Sequence, residues 1–271
     1  MDCGEGMQRR IISEGIGLNR ETTVLITHLH GDHVTGLLGL LQTMSLAQRT
    51  KLLTIVGPPK LRQWLEVTSK LLHIGLTFGV DFVPVKTGLV FRSRRFVVRA
   101  AKALHSVEAY CYVVEEMSRP GVFFPQKAKL AGVPEGKLWS RLQDGRSVRA
   151  AGRTVRPNEV TGPRRPGRRV GYSGDTRPST RLSRFFSGCH LLIFDSTFAG
   201  KDRAKAEERK HSTCVEAAEV AARARARRLV LTHFSARYSN VSSLVREARR
   251  VFPETVAASD GLKLRVDYPD S

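Results

Sequence analysis

The sequence predicts an α/β protein in which a mixed sheet is covered by helices and interrupted by one long basic insertion. Three observations lead there. Short apolar runs alternate with helical patterns along most of the chain. His and Asp residues able to hold a metal stand just past those runs, where α/β sheets gather functional loops. A single stretch, 119–169, breaks the alternation.

The elements follow in order. Thr22–Ile26 is a strand leading into Thr27-His28-Leu29-His30-Gly31-Asp32-His33. Val34–Ala47 is a buried helix despite two glycines. Leu52–Val56 is a strand closed by Gly57-Pro58-Pro59, and Lys60–Leu72 is a helix. Phe96–Ala101 and Ala109–Glu115 are paired strands. Val170–Ser173 and His190–Phe194 are strands. Ser212–Arg227 is a helix capped by Ser212 or Thr213, with Glu216 near the capping-box position. Leu229–Thr232 is a strand, Val241–Val251 a helix, and Thr255–Ala258 and Lys263–Val266 are closing strands.

With 271 residues, one domain (1–271) carrying an insertion is expected. No apolar run reaches membrane-spanning length, and the amino terminus lacks a charged-then-apolar signal. Four cysteines without a Cys-x-x-Cys pair point to reduced thiols in a cytoplasmic protein. The net charge of +20 suits a polyanionic partner, though a general Arg bias produces the same number.

Position sharpens that. Residues 119–169 hold 13 Lys and Arg against three Asp and Glu, half of the chain's excess. They also hold six of the twelve prolines. This predicts a protruding basic arm with little core of its own. Phe123, Phe124, Val133, Leu138, Trp139, Leu142 and Val148 would give it partial order.

Three imidazoles and a carboxylate within six positions (His28, His30, Asp32, His33) are hard to explain by packing. His28-x-His30 places two imidazoles on one side of an extended loop, able to share an ion, and Asp32-His33 turns toward a neighbouring position. Three further donors follow apolar strands: His105, Asp175 and His233. Each taken alone is more often a hydrogen-bonded structural residue, and His73 and His190 are read that way.

The chain resembles the metallo-β-lactamase superfamily and, within it, the ribonuclease Z family. The matching motifs are Asp2-Cys3-Gly4-Glu5-Gly6, Thr27–His33, His105, Tyr172–Thr176, His211-Ser212-Thr213 and Leu231–Tyr238. The resemblance implies a four-layer αββα fold and a zinc-dependent endonuclease that removes the 3′ trailer from precursor tRNA. It implies two Zn2+ per subunit, one held by His28, His30, His105 and Asp175. The other is held by Asp32, His33, His233 and the same Asp175, which bridges ions about 3.5–4 Å apart. A metal-activated hydroxide attacks phosphorus and leaves a 3′-hydroxyl on the tRNA. Asp32 and His211 are the catalytic residues by this likeness, with His211 protonating the leaving ribose oxygen. Asp195, in Phe194-Asp195-Ser196-Thr197, replaces the Glu of the family's His-Glu-Ala-Thr loop as support for His211.

The basic insertion corresponds to the family's tRNA-binding arm, with Lys137 and Arg141 near its tip; Arg237 is a further substrate-binding residue. The family's Gly-Pro pair at that tip is absent. A homodimer is implied. The family opens with a pair of strands before Asp-Cys-Gly-Glu-Gly, whereas this chain starts one residue before that motif. Missing first strands, from a fragment or a misplaced start, are therefore expected, leaving a sheet edge and a helix face without cover. Two other functions compete: a phosphodiesterase or other hydrolase of the same superfamily acting on small substrates, and a truncated, inactive form.

Overall fold

A computed structural model describes residues 1–268. The chain forms two compact units: Met1–Glu115 with Arg169–Val266, and Glu116–Arg168 with Asp267 and Tyr268. No helix among the described residues is long and apolar enough to cross a membrane.

The first unit opens with helix α1 (Met7–Ser13), strand β1 (Thr22–Leu25) and a short helix α2 (Gly31–Val34). Helix α3 (Gly36–Leu46), β2 (Leu53–Gly57), α4 (Pro59–Leu71) and β3 (Val80–Pro84) follow. β1, β2 and β3 pair in parallel, joined by α3 and α4 as crossovers. β4 (Gly88–Arg92), β5 (Phe96–Lys102) and β6 (Tyr110–Glu116) begin the second sheet.

In the second unit come α5 (Pro125–Leu130), α6 (Lys137–Gln143), a hairpin of β7 (Val148–Ala150) and β8 (Arg153–Val155), and α7 (Pro157–Val160). The first unit then resumes with β9 (Arg169–Tyr172), α8 (Thr180–Phe185), β10 (Leu191–Asp195), α9 (Arg203–Arg209), α10 (Cys214–Arg223), β11 (Leu229–Thr232), α11 (Ser242–Arg249) and β12 (Thr255–Ala257). The second sheet runs β12-β11-β10-β9-β6-β5-β4, with β9 to β12 parallel.

The period-two alternation of strand side chains builds the layers of the first unit. On and just after β1, Val24 and Ile26 face Leu37, Leu40, Leu41 and Leu61 of α3 and α4, while Leu25 faces the other sheet. On β6, Tyr110 and Tyr112 meet Leu25 and Val56 between the sheets, while Cys111 and Val113 pack under α8, α10 and α11. The result is helix, sheet, sheet, helix: the four-layer metallo-β-lactamase fold. The Tyr112 hydroxyl donates to Ile26 O at 2.7 Å, and Tyr110 N donates to Thr27 O at 3.0 Å. These bonds pin the start of the His-rich loop to the opposite sheet.

The helix expected over Val34–Ala47 is broken at Thr35. Thr35 keeps helical dihedrals, and the interruption is one of hydrogen bonding at Gly36, whose identity follows because a Cβ there would stand 1.8 Å from Gly4 O. The Asp2–Gly6 segment runs directly beneath this turn, with Gly36 N donating to Cys3 O. The expected strand Lys263–Val266 does not form. Lys263 instead pairs with Glu14, which caps α1, at 2.8 Å, and the preceding Asp260 pairs with Arg10 of α1. α1, β3 and β4 were not anticipated from the sequence. The helix expected over Ser212–Arg227 spans Cys214–Arg223, with Thr213 as its cap and Glu216 completing a capping box.

The second unit corrects the expectation of an arm with little core. Ala128, Val133, Leu142, Val148, Val155 and Val160 form a buried cluster, with Phe123, Leu138 and Trp139 packed against it. The Arg119 and Arg168 guanidinium groups both stack on Tyr268, at 3.5 and 4.3 Å from its ring centre. Lys137 and Arg141 on α6 are exposed.

Gly36→Ala should force Gly4 or α3 to move, costing roughly 1–3 kcal/mol of stability. Denaturant unfolding would show this as a lower midpoint.

Candidate metal centre

The loops after β1, β5, β9, β10 and β11 deliver the polar residues of one site. His28 and Asp175 are buried, and the two loops that carry them pack closely. Gly174, at φ +54°, allows that contact, because a Cβ would stand 2.7 Å from the Thr27 methyl. His105 lies beside this pair, its loop laced to the Asp175 loop by Leu104 N donating to Thr176 Oγ1 and Arg177 N donating to Leu104 O.

All seven expected metal ligands are brought together. Donor atoms of His28, His30, His105 and Asp175 lie within 4.8 Å of one another, and so do those of Asp32, His33 and His233. Asp175 joins the groups: its Oδ2 is 3.6 Å from His28 Nε2 and 3.4 Å from His233 Nε2, and its Oδ1 is 3.4 Å from His33 Nε2. Asp32 Oδ2 stands 3.1 Å from His233 Nε2 and is the most exposed of the carboxylates here.

The outer hydrogen bonds select the tautomers. His33 Nδ1 donates to Asp2 Oδ2 at 2.7 Å, and His105 Nδ1 donates to Lys210 O at 3.0 Å. Thr27 Oγ1 donates to Asp2, so His28 Nδ1 donates to Thr27 Oγ1 at 2.9 Å. Thr197 Oγ1 donates to Asp195 Oδ1 at 2.7 Å, so His233 Nδ1 donates to Thr197 Oγ1 at 2.9 Å. In each ring Nδ1 is engaged outward and Nε2 faces inward; on His33 and His233 that nitrogen meets the Asp175 and Asp32 carboxylates, so a proton or a cation must stand between them.

Inward-facing acceptors without donors fit a cation. His28 Nε2, His33 Nε2 and Asp175 Oδ1 are buried and have no hydrogen-bond partner. Orphaned buried acceptors are costly and rare. Their chemistry, imidazole nitrogens around a shared carboxylate, suits zinc-like divalent ions. Burial pushes His28 down to about 3, with His33 as a second cause. Burial also opposes a charge on His33, but the Asp175 and Asp2 carboxylates outweigh it and push that group up to about 10. The His33–Asp175 approach is too poorly aligned for a hydrogen bond, so it acts as a charge contact. Asp175 is lowered because, despite burial, His33, His233 and His28 surround it. This carboxylate demands positive charge, which a divalent cation supplies better than one protonated ring.

His211 stands at the rim, its ring stacked on His233 at 5.1 Å. Its Nδ1 donates to Asp195 Oδ2 at 3.0 Å. Asp195 is fully buried and also accepts from the backbone N–H groups of Thr176, Thr197 and Ser212. The shorter side chain thus reaches His211 while anchored to three loops. Burial lowers the His211 pKa, but Asp195 outweighs it and the net shift is upward. Arg237 is exposed; its guanidinium lies 4.9 Å over the Phe198 ring, and its Nε donates to Ser235 Oγ.

A sequence profile of the Beta-lactamase superfamily domain matches residues 1–125 and 142–234. Ribonuclease Z of Nitrosopumilus maritimus is 42% identical over 98% of this chain and 89% of its own length. The chain belongs to the ribonuclease Z family. Ribonuclease Z of Bacillus subtilis is 37% identical, over 98% of this chain and 87% of its own length. The crystal structure of human tRNase Z, short form, superposes with a TM-score of 0.69 at 26% identity. That match covers 98% of this chain and 87% of the human one. The chain is therefore an enzyme of the ribonuclease Z type, and its His and Asp cluster supports a metal cofactor.

Residues missed from the sequence now stand out within the family's motifs. Asp2 binds Thr27, His33 and the Tyr172 hydroxyl, and Thr197 bridges Asp195 and His233. Their motifs were visible, but their partners lie up to 170 positions away. Asp2→Asn should weaken metal affinity by roughly 10–100-fold by loosening His33. Competition with a chromophoric chelator would measure it, and an unchanged affinity would remove Asp2 from this role.

Proposed function

We propose that this protein is a zinc-dependent endonuclease that cuts the 3′ trailer from precursor tRNA. The observation that carries the reading is the set of buried, unpartnered His28, His33 and Asp175 donor atoms, in a chain aligned with ribonucleases Z over nearly its whole length. His28, His30, His105 and Asp175 would hold one Zn2+; Asp32, His33, His233 and Asp175 would hold the second. Two such ions, when bound, activate water at neutral pH and withdraw charge from a phosphate.

The protein's own groups do the rest. Asp32, open to solvent at the rim, faces the incoming phosphodiester. His211 keeps Nδ1–H on Asp195 and presents the other nitrogen as the proton donor. The Asp195 carboxylate on Nδ1 favours the charged ring, so His211 can hand a proton to the ribose 3′ oxygen, which leaves as a hydroxyl. Lys137, Arg141 and Arg237 would meet tRNA phosphates, giving affinity without sequence reading. A cytoplasmic homodimer is the assembly that accompanies this function in the proposal.

Asp175→Ala should abolish cleavage and release bound zinc, both measurable on the same purified sample. His211→Ala should slow cleavage by roughly 10²–10⁴-fold while zinc content stays at the wild-type level; loss of zinc would overturn its role as proton donor. Replacing residues 120–164 by a short Gly-Ser turn across the Arg119–Arg165 bridge should collapse cleavage of precursor tRNA. Hydrolysis of bis(p-nitrophenyl) phosphate should persist. Equal loss on both substrates would point to a small-molecule phosphodiesterase whose fold needs the insertion.

A further inference from the structure

Behind His211 lies a buried ion pair that the proposed chemistry has not used. Arg177 is 8% exposed and Glu216 6%. The guanidinium grips the carboxylate with both terminal nitrogens: Nη1 donates to Oε2 at 2.8 Å and Nη2 to Oε1 at 2.5 Å. Nη1 also donates to the backbone carbonyl of His211 at 2.6 Å. Glu216 Oε2 accepts from Thr213 N at 2.9 Å, two residues beyond His211. Arg177 itself follows Asp175 by two residues, and its backbone N–H bonds Leu104 O beside His105.

Burying two charges costs desolvation, and an apolar pair of like volume is often as stable or more so. Stability alone therefore does not call for this pair. Its geometry supplies another reason. One planar group, in a fork that holds directions a lysine cannot, spans the Asp175 loop, the His211 carbonyl and the first turn of α10. The His211 ring is fixed at Nδ1 by Asp195, and its backbone N–H is fixed by Ala206 O at 2.9 Å. The His211–Ser212 peptide is held from both sides, its N–H by Asp195 Oδ2 at 3.3 Å and its carbonyl by the shorter Arg177 bond, so loss of Arg177 leaves the carbonyl side without its anchor. We infer that Arg177, locked by Glu216, is a positioning residue that sets the reach of His211 toward the leaving oxygen. This rests on the proposed role of His211 as proton donor.

The test uses the full chain loaded with zinc and the double variant Arg177→Met with Glu216→Met, which leaves no buried charge unpaired. On precursor tRNA, kcat should fall about tenfold or more, with KM within about twofold of wild type. Hydrolysis of bis(p-nitrophenyl) phosphate, whose leaving group needs no protonation, should stay within about twofold, with unchanged zinc content. In a His211→Ala background the same double change should add no further loss on tRNA. Arg177→Lys, which keeps a donor for the carbonyl, should retain more activity than the Met pair. Equal losses on both substrates, lost zinc, or an additive effect in the His211→Ala background would overturn the inference. Wild-type protein that leaves precursor tRNA uncut would overturn the substrate reading instead. The cycle would then be run on a single-stranded RNA oligonucleotide, where the same outcomes decide Arg177, and failure to cut either RNA would overturn both.

Discussion

Asp175 carries its carboxylate into a space where Nε2 atoms of His28, His33, His105 and His233 stand 3.4–3.9 Å away. In a buried setting, such a group is tolerable only when positive charge is shared among its neighbours. The four rings arrive from loops after β1, β5 and β11, so the demand of one carboxylate is met only when both sheets are assembled. The inter-sheet bonds from Tyr110 and Tyr112 to the chain just before His28 secure that registration. Folding of the sandwich and formation of the site are, in this sense, one event.

The surrounding backbone shows what that convergence costs. Asp2, Lys210 and His233 are not glycine, yet all take left-handed conformations, with φ of 53, 59 and 61°. Each such residue is unfavourable on its own and persists where neighbours over-determine it. Asp2 is held by Thr27, His33 and Tyr172; His233 is held by Thr197; Lys210 presents its carbonyl to His105. At these three positions the strain sits on residues that aim imidazoles, and the hydrogen bonds that aim them also hold the strained backbone; Gln48, His73, Ala151 and Arg225 take the same conformation away from the centre.

Charge is divided by task. Inside the first unit, arginines such as Arg177 act at short range, tied into the polar frame behind the centre. The second unit carries most of its cationic groups on exposed positions around a small apolar core, which suits phosphate contacts in water that weaken as salt rises. A folded unit with its own core presents those charges in fixed relative positions, which a structureless linker does not.

Much of this was legible in the amino-acid order. Strand–helix alternation and the Thr27–His33 run depend on local periodicity and on chemistry written in adjacent letters, while the donors at 105, 175 and 233 were picked out by their place after apolar strands and in the family's motifs. Other features were not. The interruption at Thr35 depends on Cys3 and Gly4 passing under Gly36, and the Lys263–Val266 stretch ties into the region of α1 without forming a strand. The roles of Asp2, Thr197 and Arg177 depend on hydrogen bonds between segments distant in sequence. By itself, then, the sequence determined which residues could bind a metal and where the strands that carry them lie, but not β3, β4 or the unpaired stretch Lys263–Val266. Only the tertiary structure decided which imidazole nitrogen faces inward and what holds His211. Tautomer and orientation are set by a partner's position in space, and that position exists only once the chain has folded.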